Sequence, residues 1–433
     1  MKHRIALFLI ALLPIHLQAE TIAITGARVH TVSDRGTLEN ATVIIEDGVI
    51  AAVGNNLAPP SGATVVDASG KIVTPGLFSA MGQLGLTEVN AVSGTVDFIQ
   101  RGEQFSAAFD VADAYNRRST LIAINRIEGI TRAAIMPTGA GGPDEAGQFS
   151  HIFSGLGAIV QLGDEADSIV RRQAAMVVHL GEGGSSLAGG SRATALLQLR
   201  QALNDALDYA GHKDDYERGS RRAYALSQSD LEALQAVIEG TLPLIVHVDR
   251  ASDIEVLLSM AAEYRLQLLI AGGTEAWMVA KQLADAGVGV ILDSINNLPG
   301  SFDKLNARLD SAALLADAGV PVAFGGSSVQ NHNARNITQA AGIAVANGLT
   351  WETALRALTL TPAEFYGVAD RSGSIVAGKD ADIVIWADDP LELSSYPEQV
   401  YIKGEQIPMQ SRQTLLRDRY LKSASQLPPA FRH

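Results

Sequence analysis

The sequence predicts an α/β fold in which buried parallel strands alternate with helices and a β module is assembled from both ends of the chain. Three observations predict it. Five near-continuous apolar runs, at 174–180, 242–248, 265–271, 287–293 and 319–325, have strand length and the composition of strands buried on both faces. Segments of helical periodicity separate them, two ending on Gly287 and Gly319, where a helix C-terminus takes glycine. Short β-branched segments punctuated by turn residues occupy 21–73 and return after Gly373.

Taken in order, residues 1–19 read as an export leader. Lys2 and Arg4 precede an apolar stretch of nine residues, Ile5 to Leu13, which Pro14 breaks before the small residue Ala19. A membrane span needs about 20 apolar residues, so a cleaved signal peptide and a periplasmic or otherwise exported protein are expected, with no membrane span. Residues 20–73 form the N-terminal part of the β module, 74–370 the βα region, and 371–433 the C-terminal part of the module with a polar terminal helix from about Ser411. Within the βα region, Ser252 with Glu255 three residues on predicts a helix N-terminus, while 181–192 and 212–222 read as loops. Repeats at this spacing fit either an open doubly wound sheet or a (β/α)8 barrel.

Composition narrows the function. The chain has 433 residues, 47% of them hydrophobic, and so can bury a large core. Its 33 basic against 47 acidic residues, net charge -14, argue against a nucleic-acid binder and for a small-molecule substrate or ligand. Cysteine is absent, which excludes disulfides, thiolate metal sites and a cysteine nucleophile. No phosphate-binding loop, GxGxxG fingerprint or GxSxG elbow stands in a suitable context.

Three segments carry a family likeness. KIVTPGLFSAMGQLGL (71–86) resembles the segment that opens the barrel in the amidohydrolase superfamily, where TPG precedes a metal-binding HxH. The stretch 348–391, with its Thr-x-x-Pro-Ala turn and GKDADIV strand, resembles the family's ending. LIVHVDRASDI and GGTEAW resemble barrel strands five and six of the imidazolonepropionase-related branch. The resemblance implies a TIM-like (β/α)8 barrel with a composite β-sandwich module from both chain ends. It also implies hydrolysis of carbon-nitrogen bonds with one or two divalent metals.

Aligned on that pattern, the metal positions are largely replaced. Met81 and Gln83 stand where HxH would be, with Ser79 ahead of them. Gly272 takes the place of the strand-six histidine, and Ser327, in GGSS, that of the strand-eight aspartate. A thioether and a neutral amide are poor zinc ligands. His247 alone matches. His247 and Glu275 are therefore the candidate catalytic residues, Gln83, Arg250 and Ser327 candidates for substrate binding, and His247 with His179 the candidate metal ligands. Glu182, Asp249, Arg192 and the loop histidine His332 are further polar groups near the inferred strand ends. At most one divalent, zinc-like metal is expected, and a full binuclear site is not. Two readings follow: an exported hydrolase of cyclic-amide-type carbon-nitrogen bonds with a reduced metal site, or an inactive relative that binds a small molecule, forms a homo-oligomer or pairs with an active homologue.

Overall fold

The computed structural model describes residues 21–101, 104–139 and 151–421, so the leader expected at 1–19 lies outside the described residues. Two eight-stranded sheets organise it. The first takes β1 (Thr21–His30), β2 (Thr37–Glu46), β3 (Val49–Asn55), β4 (Thr64–Asp67) and β5 (Ile72–Pro75). The second runs through β6 (Leu77–Gly82), β7 (Ile130–Ile135), β8 (Phe153–Gln161), β9 (Ile169–His179), β10 (Leu244–Val248), β11 (Leu268–Gly272), β12 (Gly289–Leu292) and β13 (Val322–Phe324). The chain then returns to the first sheet with β14 (Ile383–Trp386), β15 (Pro397–Ile402) and β16 (Glu405–Gln406).

The second sheet is a nearly closed barrel in chain order, β6 to β13. Its pairs are parallel except around β8, which lies antiparallel to both neighbours. A fully parallel sheet is thus corrected at one strand. The short connection from β8 to β9 holds no helix, and two strands joined so briefly must pair antiparallel. The seam between β13 and β6 carries no strand ladder. Side chains and a helix end satisfy it instead: Phe78 N donates to Leu358 O at 2.8 Å, and the buried Tyr366 hydroxyl donates to Ala80 O at 2.6 Å. Across the seam the backbone approach is tight, because a Cβ on Gly325 would stand 3.1 Å from Met81 Cβ.

Twelve helices complete the described chain: α1 (Thr120–Arg126), α2 (Gly181–Leu187), α3 (Arg192–Glu217), α4 (Gln228–Ala233), α5 (Gln235–Ile238), α6 (Ala251–Tyr264), α7 (Ala280–Asp285), α8 (Ser311–Asp317), α9 (Ile337–Ala346), α10 (Trp351–Ala357), α11 (Leu360–Phe365) and α12 (Arg412–Tyr420). Two segments expected as loops are helical: the glycine-rich 181–192 contains α2, and 212–217 continues α3 beyond a kink at His212. Packing of Gly184 against the backbone of His179, where a Cβ would stand 2.1 Å from the carbonyl oxygen, requires glycine in α2. Helix α6 begins one residue before Ser252, with Arg250 at the cap. The cap comes from elsewhere, since Glu275 Oε2 accepts from Ala251 N at 3.1 Å.

Buried Arg132 on β7 ties the two sheets together. It donates to Asp382 Oδ2 at 2.6 Å and to Asp380 Oδ2 at 2.5 Å, two carboxylates from the GKDADIV segment. Within the first sheet, Trp386 Nε1 on β14 donates to Thr74 Oγ1 on the neighbouring β5 at 2.9 Å. No helix among the described residues is long and apolar enough to cross a membrane.

Candidate active site

Strand ends gather polar groups because the barrel interior beneath them is apolar. Phe78, Met81, Met136, Val177, Ile245, Leu269 and Ile291 form one buried cluster inside the sheet. Met81 is a member of that cluster, 3% exposed, so strand one contributes packing at the position where the resemblance implies a metal ligand. Gln83 is buried as well, and its Oε1 has no hydrogen-bond partner.

Two adjoining cavities open at the mouth, each of about 430 Å3. One is lined by His179, His247, Glu182, Asp249 and Asp303; the other by Gly272, Thr274, Asp293, Asn296 and Ser327. Ser301 and Lys304 belong to both. His179 and His247 meet because β9 and β10 are parallel neighbours with these residues in register. Their rings stack with centroids 4.2 Å apart and planes 4° from parallel.

Both imidazoles are neutral. Burial pulls the His247 pKa down to about 4, with nearby Lys304 lowering it further and Asp249 opposing. Burial and then the charge of His247 hold His179 well below the ordinary histidine value. His179 Nε2 accepts the Gly139 backbone N–H at 3.0 Å, which places its proton on Nδ1. Among the described residues His247 Nε2 has no hydrogen-bond partner, which a buried ring nitrogen ordinarily has. Among the described residues no group of three or more His, Asp or Glu is arranged to hold a metal ion.

Lys304 reaches Asp249 Oδ2 at 3.4 Å, while Asp249 Oδ1 accepts from Thr274 N at 3.1 Å and from its hydroxyl at 2.7 Å. Asp303 is buried, accepts from Glu182 N at 2.5 Å and pairs with Arg192, which also reaches Asp253 at 3.2 Å. On the other side, Asp293 Oδ2 accepts from Ser328 N at 3.0 Å and from Ser327 Oγ at 3.3 Å.

The remaining candidates sit apart from these cavities or are held within the protein. Glu275 is 4% exposed. Besides capping α6, its Oε1 accepts from Asn306 N and Nδ2 at 3.2 and 2.9 Å, which pins the segment that carries Lys304. Arg250 pairs with Asp253 at 2.9 Å, and His332 is exposed and lines neither cavity. Asp303 and Asp293 escape sequence reasoning, because they follow strand seven or lie in its long connection, while Lys304 closes SFDK (301–304), a Ser-x-x-Lys match that without companion SDN or KTG motifs is expected by chance in 433 residues.

Comparison with known proteins places this geometry. The Amidohydrolase family profile matches residues 215–407. Amidohydrolase tasK of Hapsidospora irregularis is 24% identical over 392 residues, 84% of this chain, although the chain spans only 39% of that protein's length. An imidazolonepropionase of Thermoplasma acidophilum is 31% identical over 124 residues, 28% of this chain and 29% of that protein. A 5'-deoxyadenosine deaminase of Methanothermobacter thermautotrophicus is 25% identical over 391 residues, covering 84% of both. In fold, an amidohydrolase from Thermotoga maritima superposes with a TM-score of 0.77 at 24% identity, over 89% of this chain and 99% of that one. The profile match and the imidazolonepropionase relatives support the amidohydrolase superfamily, including its imidazolonepropionase-related branch, and the fold is that of an amidohydrolase neighbour.

Proposed function

We propose that this protein is an exported hydrolase of carbon-nitrogen bonds in small, cyclic-amide-type molecules, acting at the barrel mouth with a reduced metal site. The observation that carries the reading is His247, whose neutral ring lines a cavity that Lys304 also lines and whose buried Nε2 has no hydrogen-bond partner among the described residues. The names of the relatives, a deaminase, imidazolonepropionases and an amidohydrolase, support the reaction class. The leader at 1–19 supports export.

Met81, Gln83 and a lone histidine pair do not suit a binuclear centre, and the chemistry falls to side chains. His247 Nε2 accepts a proton from water as the water oxygen bonds to the amide carbon. Lys304 faces the oxygen that gains negative charge. The imidazolium then returns its proton to the leaving nitrogen as the carbon-nitrogen bond breaks. A base with a pKa near 4 is weak. Burial is the main cause of that weakness, and engagement of Lys304 by the oxygen as it gains negative charge offsets only the smaller, electrostatic part.

The test is turnover by the purified protein of five- and six-membered cyclic amides and imides, followed by ring opening or ammonia release. Loss of a general base costs about 10² to 10⁴ in rate, so His247→Ala should fall by at least that lower factor. Turnover undiminished in His247→Ala, or no turnover of any member of the panel, removes the proposal.

A second reading has its own observation. Met81 fills the strand-one position with apolar packing, as a barrel that only binds a small molecule or pairs with an active homologue would allow. Saturable binding of cyclic amides without turnover, or co-purification with an active homologue, favours this reading.

A further inference from the structure

A cavity of about 750 Å3 lies between the β1–β2 turn, helices α10 and α11 and the 374–379 segment. It shares no lining residue with the mouth cavities and falls within the size range of small-molecule sites, which favour junctions between structural units. We propose that this cleft binds a small monocarboxylate with an aromatic or branched aliphatic body.

Lys379 supplies the positive charge of the cleft. Its half-buried Nζ donates to Ser374 Oγ at 2.6 Å and to Ser372 O at 3.2 Å, both neutral acceptors. Among the described residues no carboxylate comes within 4.0 Å of it, although Asp370 and Glu364 lie near enough to be felt. The neighbouring cation is spoken for, because Arg356 pairs with Glu364 at 2.6 Å. Burial disfavours the lysine charge, as expected for an ammonium that lacks its counter-ion. Asp34 and Glu352 are exposed on the same walls and disfavour a ligand carrying several negative charges.

The apolar argument rests on Trp351, with Leu355, Leu360 and Val376 beside it. Asp389 fixes the indole through Nε1 at 2.9 Å, and the His30 ring lies 4.3 Å from it. A fixed aromatic surface and a cation without a carboxylate partner, lining one cavity, is the arrangement that recognises an amphipathic anion.

The wall is also strained. Val32 holds a φ of 49°, a left-handed conformation that a β-branched residue rarely adopts. Bonds on either side enforce it: Thr31 N donates to Gly36 O at 3.2 Å, and Ile375 N to Thr31 O at 2.8 Å. Strain kept in place by its surroundings clusters at ligand sites.

Tryptophan fluorescence tests the proposal. The chain has three tryptophans, and in a Trp277→Phe background the remaining reporters are Trp351 and the buried Trp386. Phenylacetate should quench the emission saturably, and uncharged phenylacetamide should bind about ten-fold more weakly or worse, equivalent to about 1.4 kcal/mol. Lys379→Met should weaken phenylacetate by the same factor, and Thr37→Trp, at an exposed wall position, should block it. His247→Ala, at the other site, should leave the affinity unchanged. No saturable quenching in a protein with an unaltered melting transition overturns the proposal, as does phenylacetate binding that survives both Lys379→Met and Thr37→Trp.

Discussion

His247 lies face to face with His179, ring centroids 4.2 Å apart, and only one of the two has an internal partner for Nε2. Burial opposes a charge on either ring. In the metal-free protein, dialysed against chelator, the folded state holds His247 unprotonated down to about pH 4, whereas the unfolded chain takes up that proton near pH 6.5. The unfolded state therefore binds more protons between those values, and stability falls as pH drops through that window. The His247 contribution approaches about 3 kcal/mol at the acid end. Urea melts between pH 7.5 and 4 should show this loss, and His247→Gln should flatten it; an equally steep dependence in the variant removes His247 as its source.

Metal retention follows from the same pair. Among the described residues the two imidazoles have no converging carboxylate and offer fewer ligands than the four of a tetrahedral zinc site. Protein loaded with zinc and then dialysed should keep no more than one equivalent by elemental analysis, and His247→Ala should keep none. Two retained equivalents would show that this count of ligands is wrong.

Glu275 separates a structural from a chemical role. Its carboxylate accepts from Ala251 N, Asn306 N and Asn306 Nδ2, so a neutral amide in its place would present a donor to at least one of these donors. Glu275→Gln should cost about 1–3 kcal/mol in chemical denaturation through the lost cap and the loosened 306 segment. With Lys304 less firmly placed, kcat should fall together with stability. A loss confined to kcat, at unchanged stability, would instead assign Glu275 to the reaction.

The apolar strand runs made the β9 to β13 side of the barrel legible, because strands buried on both faces leave a hydrophobic record that survives without any knowledge of partners. Strand β8 left no comparable direction signal. Its antiparallel placement depends on the short hairpin to β9, not on its own composition. The β10 histidine was visible through its motif, and its stacking on His179 came from register, which periodicity does not encode. Lys304 and Asp303 left only a chance-level Ser-x-x-Lys match for a related reason: they lie on a connection that Glu275 and Arg192 hold over the mouth through tertiary contacts. The apparent cap at Ser252 misled because a distant carboxylate supplies the bond that a local side chain normally gives.

The junction between the two sheets gives the sharpest stability prediction. Arg132 is 2% exposed and meets Asp382 and Asp380, while Arg371 reaches Asp380 from outside at 2.5 Å. Removing the central cation leaves two buried carboxylates facing one another, and loss of one partner of a buried pair costs about 3–5 kcal/mol. Arg132→Met should therefore lower the melting temperature by far more than Lys71→Met, which breaks the part-exposed pair with Glu398 in the first sheet. Arg371 and protonation limit the damage, so the Arg132→Met protein should recover stability as pH falls and the unpaired carboxylates neutralise, opposite in sign to the parent protein's response. Combining Arg132→Met with Asp382→Asn should recover part of the loss at neutral pH. A single variant no less stable than Lys71→Met, or one that shows no acid recovery, would mean that the sheets are joined by apolar contact and that the ion cluster contributes little.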